Sequence, residues 1–173
     1  MEREPKKLLA KFLIEQLEND PSFLIYSSQK GFGYFKPYIH QQLLLWRLAF
    51  IEEIRTILGD EIGLGKTIEA ILIIKQLQKR GCKKFLLLVP RSLKKQWKGE
   101  LLKFFNETEI FELDSQNIPV LCRRGADGVY LVSIDTAKLD GKKHHIKGGE
   151  WDAVIVDEAH NLGSDSQRDK LLS

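Results

Sequence analysis

The spacing of hydrophobic positions along the chain changes at about residue 56. Before it, residues 6–19 and 41–55 repeat apolar side chains every three or four positions, which predicts two amphipathic helices. Between them, residues 23–27 and 33–36 are short apolar stretches separated by turn-forming residues, and they are predicted to be short strands or extended loops. The first third of the chain therefore predicts helices and short extended pieces without a large sheet.

After residue 56 the pattern alternates between short apolar runs and longer amphipathic segments. The predicted strands are residues 56–59, 85–89, 110–113, 129–133 and 153–156, and the predicted helices are residues 66–79 and 92–105. Such alternation favours βαβ units. It predicts an α/β fold with a mostly parallel sheet and helices on both faces. Ligands of such sheets bind at the carboxyl ends of the strands.

The pattern gives two further predictions, one for the helix over 92–105 and one for the segment that follows the predicted strand over 129–133. Ser92 is placed to cap the helix, and Leu93, Trp97, Leu101 and Phe104 form its predicted inner stripe. On that stripe Trp97 is predicted to be a core residue rather than a platform for base stacking. Residues 140–150 are rich in Gly, Lys and His, so we predict an exposed connection there.

Composition places few further limits on the chain. Its 173 residues are 43% apolar and 29% charged with a net charge of +3, which is typical of a globular domain. No apolar run is long enough to cross a membrane, and two cysteines cannot build a disulfide framework. We therefore expect a cytoplasmic protein that does not contact membranes. The predicted division is an α/β N-terminal extension, 1–36, followed by one lobe, 37–173.

The charge is distributed unevenly. Residues 79–98 contain eight basic and no acidic side chains, whereas the remaining 19 basic and 24 acidic residues give a net charge of −5. A local excess of this size can attract a phosphate backbone, although a solvated Lys-rich helix face gives the same pattern.

A glycine-rich segment between a predicted strand and a predicted buried helix is the strongest local signal. It is residues 59–67, with the sequence Gly-Asp-Glu-Ile-Gly-Leu-Gly-Lys-Thr. Small residues let backbone N–H groups surround a phosphate, a lysine reaches the β- and γ-phosphates, and a hydroxyl binds Mg²⁺. The predicted nucleotide-binding residues are Gly63, Leu64, Gly65, Lys66 and Thr67. Asp60 stands where the strict phosphate-loop pattern has its first glycine, which leaves a chance Gly-Lys-Thr at a helix start as the alternative.

A second signal is the apolar strand that ends in Asp157 and Glu158, about ninety residues later. In a phosphate-loop ATPase the first carboxylate belongs to the Mg²⁺ shell and the second polarises the attacking water. The catalytic prediction is therefore Lys66, Asp157 and Glu158, with Thr67 and Asp157 at the metal. His160 follows two residues later and is predicted to reach the γ-phosphate region. The adjacent pair His144 and His145 could suggest a metal, but lacks ligand spacing, and we predict a solvated loop.

Asp-Glu-Ile-Gly-Leu-Gly-Lys-Thr-Ile-Glu over 60–69 and the DEAH box over 157–160 resemble the superfamily-two helicases and translocases, and more narrowly the SWI/SNF-type double-stranded DNA translocases. In that family the departure at Asp60 is the usual sequence, and the resemblance implies a RecA-like fold of the P-loop NTPase type. The segments over 39–41, 65–70 and 89–97 are most similar to the RapA-like, RNA-polymerase-associated branch.

The resemblance assigns further roles position by position. It implies that Gln41, rather than Gln42, reads the adenine edge of ATP, and that His160 belongs to the nucleotide site. It also implies contacts to one DNA strand, from the segment over 90–97 and from a second segment that starts at Ser133. The predicted nucleic-acid residues are Arg91, Ser92, Lys94, Lys95 and Ser133. Because these contacts are to phosphates, binding is expected to be independent of sequence and strongly dependent on salt.

The resemblance also implies what lies beyond this chain. Family members bind ATP between two RecA-like lobes, and the second lobe supplies an arginine finger. We expect the chain to be the first lobe of a longer ATP-driven motor, to need ATP and Mg²⁺, and to have almost no turnover alone. Duplex DNA, the second lobe and RNA polymerase are the expected partners. A strand-separating helicase, a restriction-type motor subunit and a non-catalytic nucleotide- or nucleic-acid-binding module remain alternatives.

Overall fold

The computed structural model describes residues 25–26, 34–35, 37–49, 51, 54, 65–139 and 141–159. The predicted helix over 6–19 and the predicted strand over 56–59 lie outside the described residues. The chain forms two compact units, residues 1–76 and 77–173, and each is described separately. The predicted division at residue 36 stays a prediction.

In the first unit, two short strands and two helices are described. Strand β1 (Ile25–Tyr26) pairs in antiparallel register with β2 (Tyr34–Phe35), which confirms that both predicted segments are extended. Helix α1 spans Ile39–Ala49. Helix α2 begins in this unit and spans Lys66–Lys79, the bounds predicted from its pattern.

The prediction that α1 continues to Arg55 is wrong. Ile51 and Ile54 lie outside the helix, although they continue its three- to four-residue apolar spacing. The amide of Ile51 donates to the carbonyl of Leu48, 3.2 Å away, so the chain leaves α1 through a tighter i−3 hydrogen bond. Hydrophobic spacing reports which positions face the core and does not show where the helical hydrogen bonds stop.

In the described part of the second unit, four strands form a sheet in which every pairing is parallel. Its strands are β3 (Lys84–Val89), β4 (Ile110–Glu112), β5 (Gly128–Ser133) and β6 (Ala153–Val156), and their spatial order is β4-β5-β3-β6. Phe85 in the central strand β3 pairs with Val129 on one side and with Ala153 on the other. Parallel pairing of strands that are separated by helices confirms the predicted α/β fold class.

Among the described residues of this unit, four α-helices accompany the sheet: α3 (Lys94–Leu101), α4 (Ile118–Arg124), α5 (Ile134–Lys138) and α6 (Lys143–Lys147). The sequence pattern did not predict α4 or α5. The predicted exposed connection over 140–150 is wrong, because α6 buries Ile146, whose carbonyl accepts a hydrogen bond from the Trp151 indole at 2.6 Å. One apolar residue in a polar stretch gives no periodic signal, so this helix depends on its tertiary contacts.

The start of α3 differs from the prediction. The chain leaves β3 through Pro90, forms a single 3₁₀ turn over Arg91–Leu93 and only then becomes α-helical at Lys94. No side chain caps either segment, so the predicted capping role of Ser92 is wrong. The amide of Leu93 bonds to the carbonyl of Pro90 at 3.0 Å. The helix also ends at Leu101 and continues as turns to Phe104, short of the predicted end at Phe105.

The core explains why β3 and β5 are apolar at nearly every position. Both strands are buried on both faces, as expected for the centre of a covered parallel sheet. One face packs with α4, α5 and α6. Its cluster consists of Leu86, Leu88, Leu113, Ile118, Cys122, Tyr130, Val132, Ile134, Ala137 and Ile146. Phe85, Leu87 and Val89 alternate to the opposite face and are equally buried.

Two backbone N–H groups at the start of β3 fix how β6 enters the sheet. The amides of Lys83 and Lys84 donate to one carboxylate oxygen of Asp152, at 2.6 and 2.9 Å. These two bonds hold the pKa of Asp152 below its usual value.

Within the described ranges, every helix is too short or too polar to traverse a lipid bilayer.

We predict that Gly128→Ala destabilises the second unit. Gly128 has φ of +152°, and a Cβ there would lie 2.5 Å from the carbonyl oxygen of Glu109 and 2.7 Å from the ring of Phe111. Backbone strain and overpacking together should lower the free energy of unfolding by about 2–4 kcal/mol in urea titrations. Gly99→Ala, in α3 with no atom within 4 Å of the added carbon, is the control and should raise it by about 0.5–1 kcal/mol. Equal effects of the two substitutions would contradict this packing.

Candidate nucleotide and nucleic-acid site

In the first unit, the structure brings the start of α2 close to α1. Gly65 immediately precedes α2 and has φ of +85°, a left-handed conformation that favours glycine. A Cβ at Gly65 would lie 3.1 Å from the side-chain nitrogen Nε2 of Gln41. The predicted adenine-reading glutamine and the end of the predicted phosphate loop are therefore neighbours. Gly63 and Leu64 of that loop lie outside the described residues.

The two adjacent glutamines of α1 are both buried, with 1% exposure each, but they have different partners. Gln41 accepts a hydrogen bond from the backbone amide of Tyr38 at 3.0 Å through Oε1, which leaves Nε2 beside Gly65. Gln42 donates through Nε2 to the carbonyl of Pro37 at 2.8 Å. Its Oε1 is buried and finds no hydrogen-bond partner within the described part of the chain. The position of Gln41 agrees with a role at the nucleotide, which stays a prediction.

A pair of residues that the sequence reasoning missed joins α1 to α2. Nε2 of His40 lies 3.7 Å from Oε1 of Glu69, and the pair is ionic only when the imidazole is protonated. Glu69 is 1% exposed, while His40 is half-exposed and stacks on the ring of Tyr38. The signal was present in the sequence, because Glu69 is the one carboxylate in the buried half of an apolar helix.

Lys66 and Thr67 are the first two residues of α2, and both are half-buried. The helix begins with the bond from the amide of Glu69 to the carbonyl of Gly65, at 3.0 Å. The preceding N–H groups have no intrahelical acceptor, and the positive end of the helix dipole favours an anion there. A small left-handed residue, a lysine and a hydroxyl at a helix start fit a triphosphate with Mg²⁺.

In the second unit, three neighbouring parallel strands end at one edge of the sheet. Strand β5 ends at Ser133, β3 continues into Pro90 and Arg91, and β6 continues into Asp157 and Glu158. Because the strands are parallel and in register, these residues lie along the same carboxyl edge. The predicted carboxylates and the predicted nucleic-acid segments therefore share one edge, as the strand pattern indicated.

Asp157 is held at two points. Its amide donates to the carbonyl of Leu88 at 2.8 Å, which extends the β3–β6 ladder by one residue. Its Oδ2 accepts a hydrogen bond from the indole Nε1 of Trp97 at 2.7 Å. Trp97 is 3% exposed, which confirms that it is a core residue. The contact joins residues 60 positions apart, so no local pattern could have indicated it.

Glu158 has an unusual backbone conformation. Among the described residues other than glycine, it alone has a positive φ, of 52°. Such a conformation costs about 1–3 kcal/mol and persists where the surrounding structure enforces it, often at a functional site. The side chain is exposed, whereas the strand before it is half-buried. His160 lies outside the described residues.

An open pocket of about 670 Å³ lies at the same edge and is lined by Pro90, Arg91, Ser92, Ile134 and Asp135. The exposed Arg91 and Ser92 contribute to it from the 3₁₀ turn after β3. Ser133 is 3% exposed, and its hydroxyl caps α5 by accepting from the amide of Thr136 at 3.2 Å. The structure thus places Ser133 beneath this surface and not on it.

The basic run over 79–98 does not form a single surface. Its first four basic residues precede or begin β3, and the other four follow it, about 20 Å further along a six-residue strand. Within the second group, Lys94 donates to the carbonyl of Leu113 at 2.7 Å, and Lys98 pairs with Glu112 at 2.5 Å. The bond to Glu112 raises the pKa of Lys98. Arg91 and Lys95 are exposed.

His144 and His145 lie in α6 and not in the predicted loop, and their ring centroids are 3.8 Å apart. Desolvation, followed by the nearby positive charges, lowers the pKa of His145. In the part of the chain that the structure describes, no group of three or more His, Cys, Asp or Glu side chains could hold a metal ion.

A parallel sheet with these residues at its carboxyl edge defines an α/β lobe of the RecA type. The chain belongs to the family of the SNF2-related domain, which matches residues 8–171. The predicted SNF2-type superfamily-two lobe is therefore confirmed.

Named relatives agree with this family. The chain is 38% identical over 129 residues to the uncharacterized ATP-dependent helicase YqhH of Bacillus subtilis, a match that covers 74% of the chain and 22% of that protein. It is 37% identical to the RNA polymerase-associated proteins RapA of Sodalis glossinidius, over 114 residues, and of Erwinia tasmaniensis, over 119. These two matches each cover 62% of the chain and 12% of the relative. The chain thus spans about an eighth to a fifth of the length of these relatives.

Proposed function

We propose that the chain is the ATP-binding lobe of a nucleic-acid-dependent ATPase. The observation that carries this proposal is the left-handed Gly65 at the start of α2, packed against the side-chain amide of Gln41. This arrangement puts a phosphate-binding helix terminus beside an amide that can read a purine edge. The names of the relatives, an ATP-dependent helicase and RNA polymerase-associated proteins, support the same class.

Different residues of the chain are proposed to have different roles at the nucleotide. Lys66 and the N–H groups at the start of α2 bind the phosphates, Gln41 selects adenine, and Gly63 and Leu64 complete the loop. Thr67 and Asp157 are the proposed Mg²⁺-binding residues, and Glu158 orients and deprotonates the attacking water. When bound, Mg²⁺ neutralises charge on the β- and γ-phosphates. His160 is proposed to contact the γ-phosphate region.

The proposed nucleic-acid surface is the carboxyl edge formed by the ends of β3 and β5. Arg91, Ser92 and Lys95 are exposed there and can meet a phosphate backbone directly. Lys94 contributes positive charge next to them while its ammonium bonds to the carbonyl of Leu113. Ser133 is proposed to contribute indirectly, because its buried hydroxyl caps α5 and so positions the start of this helix next to the pocket. Duplex DNA is the proposed substrate, and the proposed activity of the whole protein is translocation that remodels protein–DNA or transcription complexes.

The double substitution Arg91→Ala with Lys95→Ala should weaken binding to duplex DNA about equally for unrelated sequences. It should also make the dependence of log Kd on log salt shallower by about two units, because each lost phosphate contact removes roughly one released counterion. Fluorescence anisotropy at four salt concentrations measures both effects. The control is Arg123→Ala with Lys147→Ala, which removes the same charge from exposed positions on α4 and α6. If both double variants change the salt dependence of DNA binding equally, the effect comes from net charge alone and not from contacts at Arg91 and Lys95.

The second lobe and RNA polymerase are the proposed partners, and the 173-residue chain alone is proposed to bind ATP with almost no turnover. Strand separation is the second candidate function, favoured by the name of the Bacillus subtilis relative. Displacement of a labelled strand by the full-length protein distinguishes the two, because translocation on duplex DNA leaves both strands paired.

A further inference from the structure

We propose that Trp97 is a positioning residue that aims the Asp157 carboxylate at the magnesium ion. The inference rests on the proposed function and concerns a residue outside the proposed nucleotide set. Trp97 lies in α3, and its indole nitrogen donates to Oδ2 of Asp157 at 2.7 Å.

The geometry fixes Asp157 more firmly than a strand end alone would do. The backbone is held by the amide bond to Leu88, and the indole holds one of the two carboxylate oxygens. Rotation of the carboxylate about its terminal torsion would break the indole bond. Oδ1, which takes part in neither of these hydrogen bonds, is therefore the oxygen left for another ligand.

Magnesium makes such positioning important. The ion requires nearly ideal octahedral geometry, so a ligand that rotates freely binds it less well. Hydrogen bonds to a ligating carboxylate typically change metal affinity by about 10- to 100-fold. A bond from a neutral N–H to a carboxylate is also charge-assisted and leaves the negative charge available to the metal.

The alternative is that Trp97 only fills the core. Its ring is 3% exposed, and a buried indole N–H usually finds some acceptor. A purely structural role would lower stability when the ring is altered. It would leave the magnesium dependence of ATP binding unchanged in the folded protein.

Trp97→Phe separates the two roles because it keeps an aromatic ring and removes the donor. Calorimetric titration of ATP at a series of magnesium concentrations should show about 10-fold weaker magnesium binding in the ternary complex. ATP affinity without magnesium should stay at the wild-type value. Trp151→Phe is the matched control, since its indole also donates to an oxygen, that of Ile146 at 2.6 Å, at the opposite end of β6. This control should leave magnesium binding unchanged.

A second measurement uses the wild-type chain and does not depend on how well the variant folds. The indole ¹H–¹⁵N signal of Trp97 should shift when ATP and magnesium are added together and move far less with ATP alone, while the Trp151 signal stays in place. Wild-type magnesium dependence in Trp97→Phe, or an unmoved Trp97 signal in a chain that binds ATP, overturns this inference alone. A wild-type chain that binds no ATP overturns the proposed function as well.

Discussion

Lys66→Ala is expected to weaken the binding of ATP with Mg²⁺ by about 100-fold, because a lysine on the phosphates supplies charge-assisted hydrogen bonds worth about 1.5–3 kcal/mol and adds direct charge neutralisation. Lys66 is the first residue of α2 and is half-buried. Isothermal titration calorimetry of the 173-residue chain measures the loss.

The control for this substitution lies on the same helix. Lys79→Ala removes an equal charge from an exposed position at the other end of α2, 13 residues away, and should leave ATP affinity within about twofold because surface charges are screened by salt. Circular dichroism of both variants checks that the fold is retained. Unchanged ATP affinity in Lys66→Ala would remove the basis for a phosphate site at this helix.

Glu158→Gln should abolish hydrolysis in the full-length protein while ATP binding is retained. Glutamine has the same shape and can orient a water molecule, but it cannot accept the proton, and general-base catalysis contributes about 10²–10⁴-fold. Nucleic-acid-stimulated phosphate release measures turnover, and a fluorescent ATP analogue measures binding.

Glu150→Gln, at an exposed position just before β6, provides the matched control and should keep wild-type turnover. The strained φ of 52° at Glu158 belongs to the backbone, and Glu→Gln leaves it in place, so stability should change little. Turnover that survives in Glu158→Gln would mean that another group activates the water.

The sequence predicted the sheet well because its two central strands, β3 and β5, are buried on both faces and are therefore continuous apolar runs. β6 is a third short apolar run, and the alternation of such runs with segments of helical length indicated strands. Helix α2 was predicted with its true bounds, because a glycine precedes it and its buried half is apolar at every position except Glu69. The candidate site was predicted from the glycine-rich segment over 59–67, from the carboxylates that follow β6 and from the family resemblance, which supplied Gln41 and the nucleic-acid residues.

The features that the sequence did not predict depend on contacts between residues that are far apart in the chain. Helices α4 and α6 are short and carry little periodicity, and each is held by packing against the sheet cluster. The indole bond to Asp157 spans 60 residues, and the His40–Glu69 pair joins two helices. The predicted strand over 85–89 already divides the basic run, but the contacts of Lys94 with Leu113 and of Lys98 with Glu112 could not be predicted. These contacts leave Arg91 and Lys95 as the exposed basic residues at the proposed nucleic-acid edge.

The most direct test of the central claim is a calorimetric titration of the wild-type 173-residue chain with ATP in the presence of Mg²⁺. An ATP-binding lobe should give saturable binding at one site per chain and weaker binding when Mg²⁺ is removed. GTP should bind more weakly than ATP, because Gln41 is proposed to select adenine. A chain that releases no binding heat with ATP at millimolar concentration, or that binds ATP and GTP equally and without regard to Mg²⁺, would contradict this account.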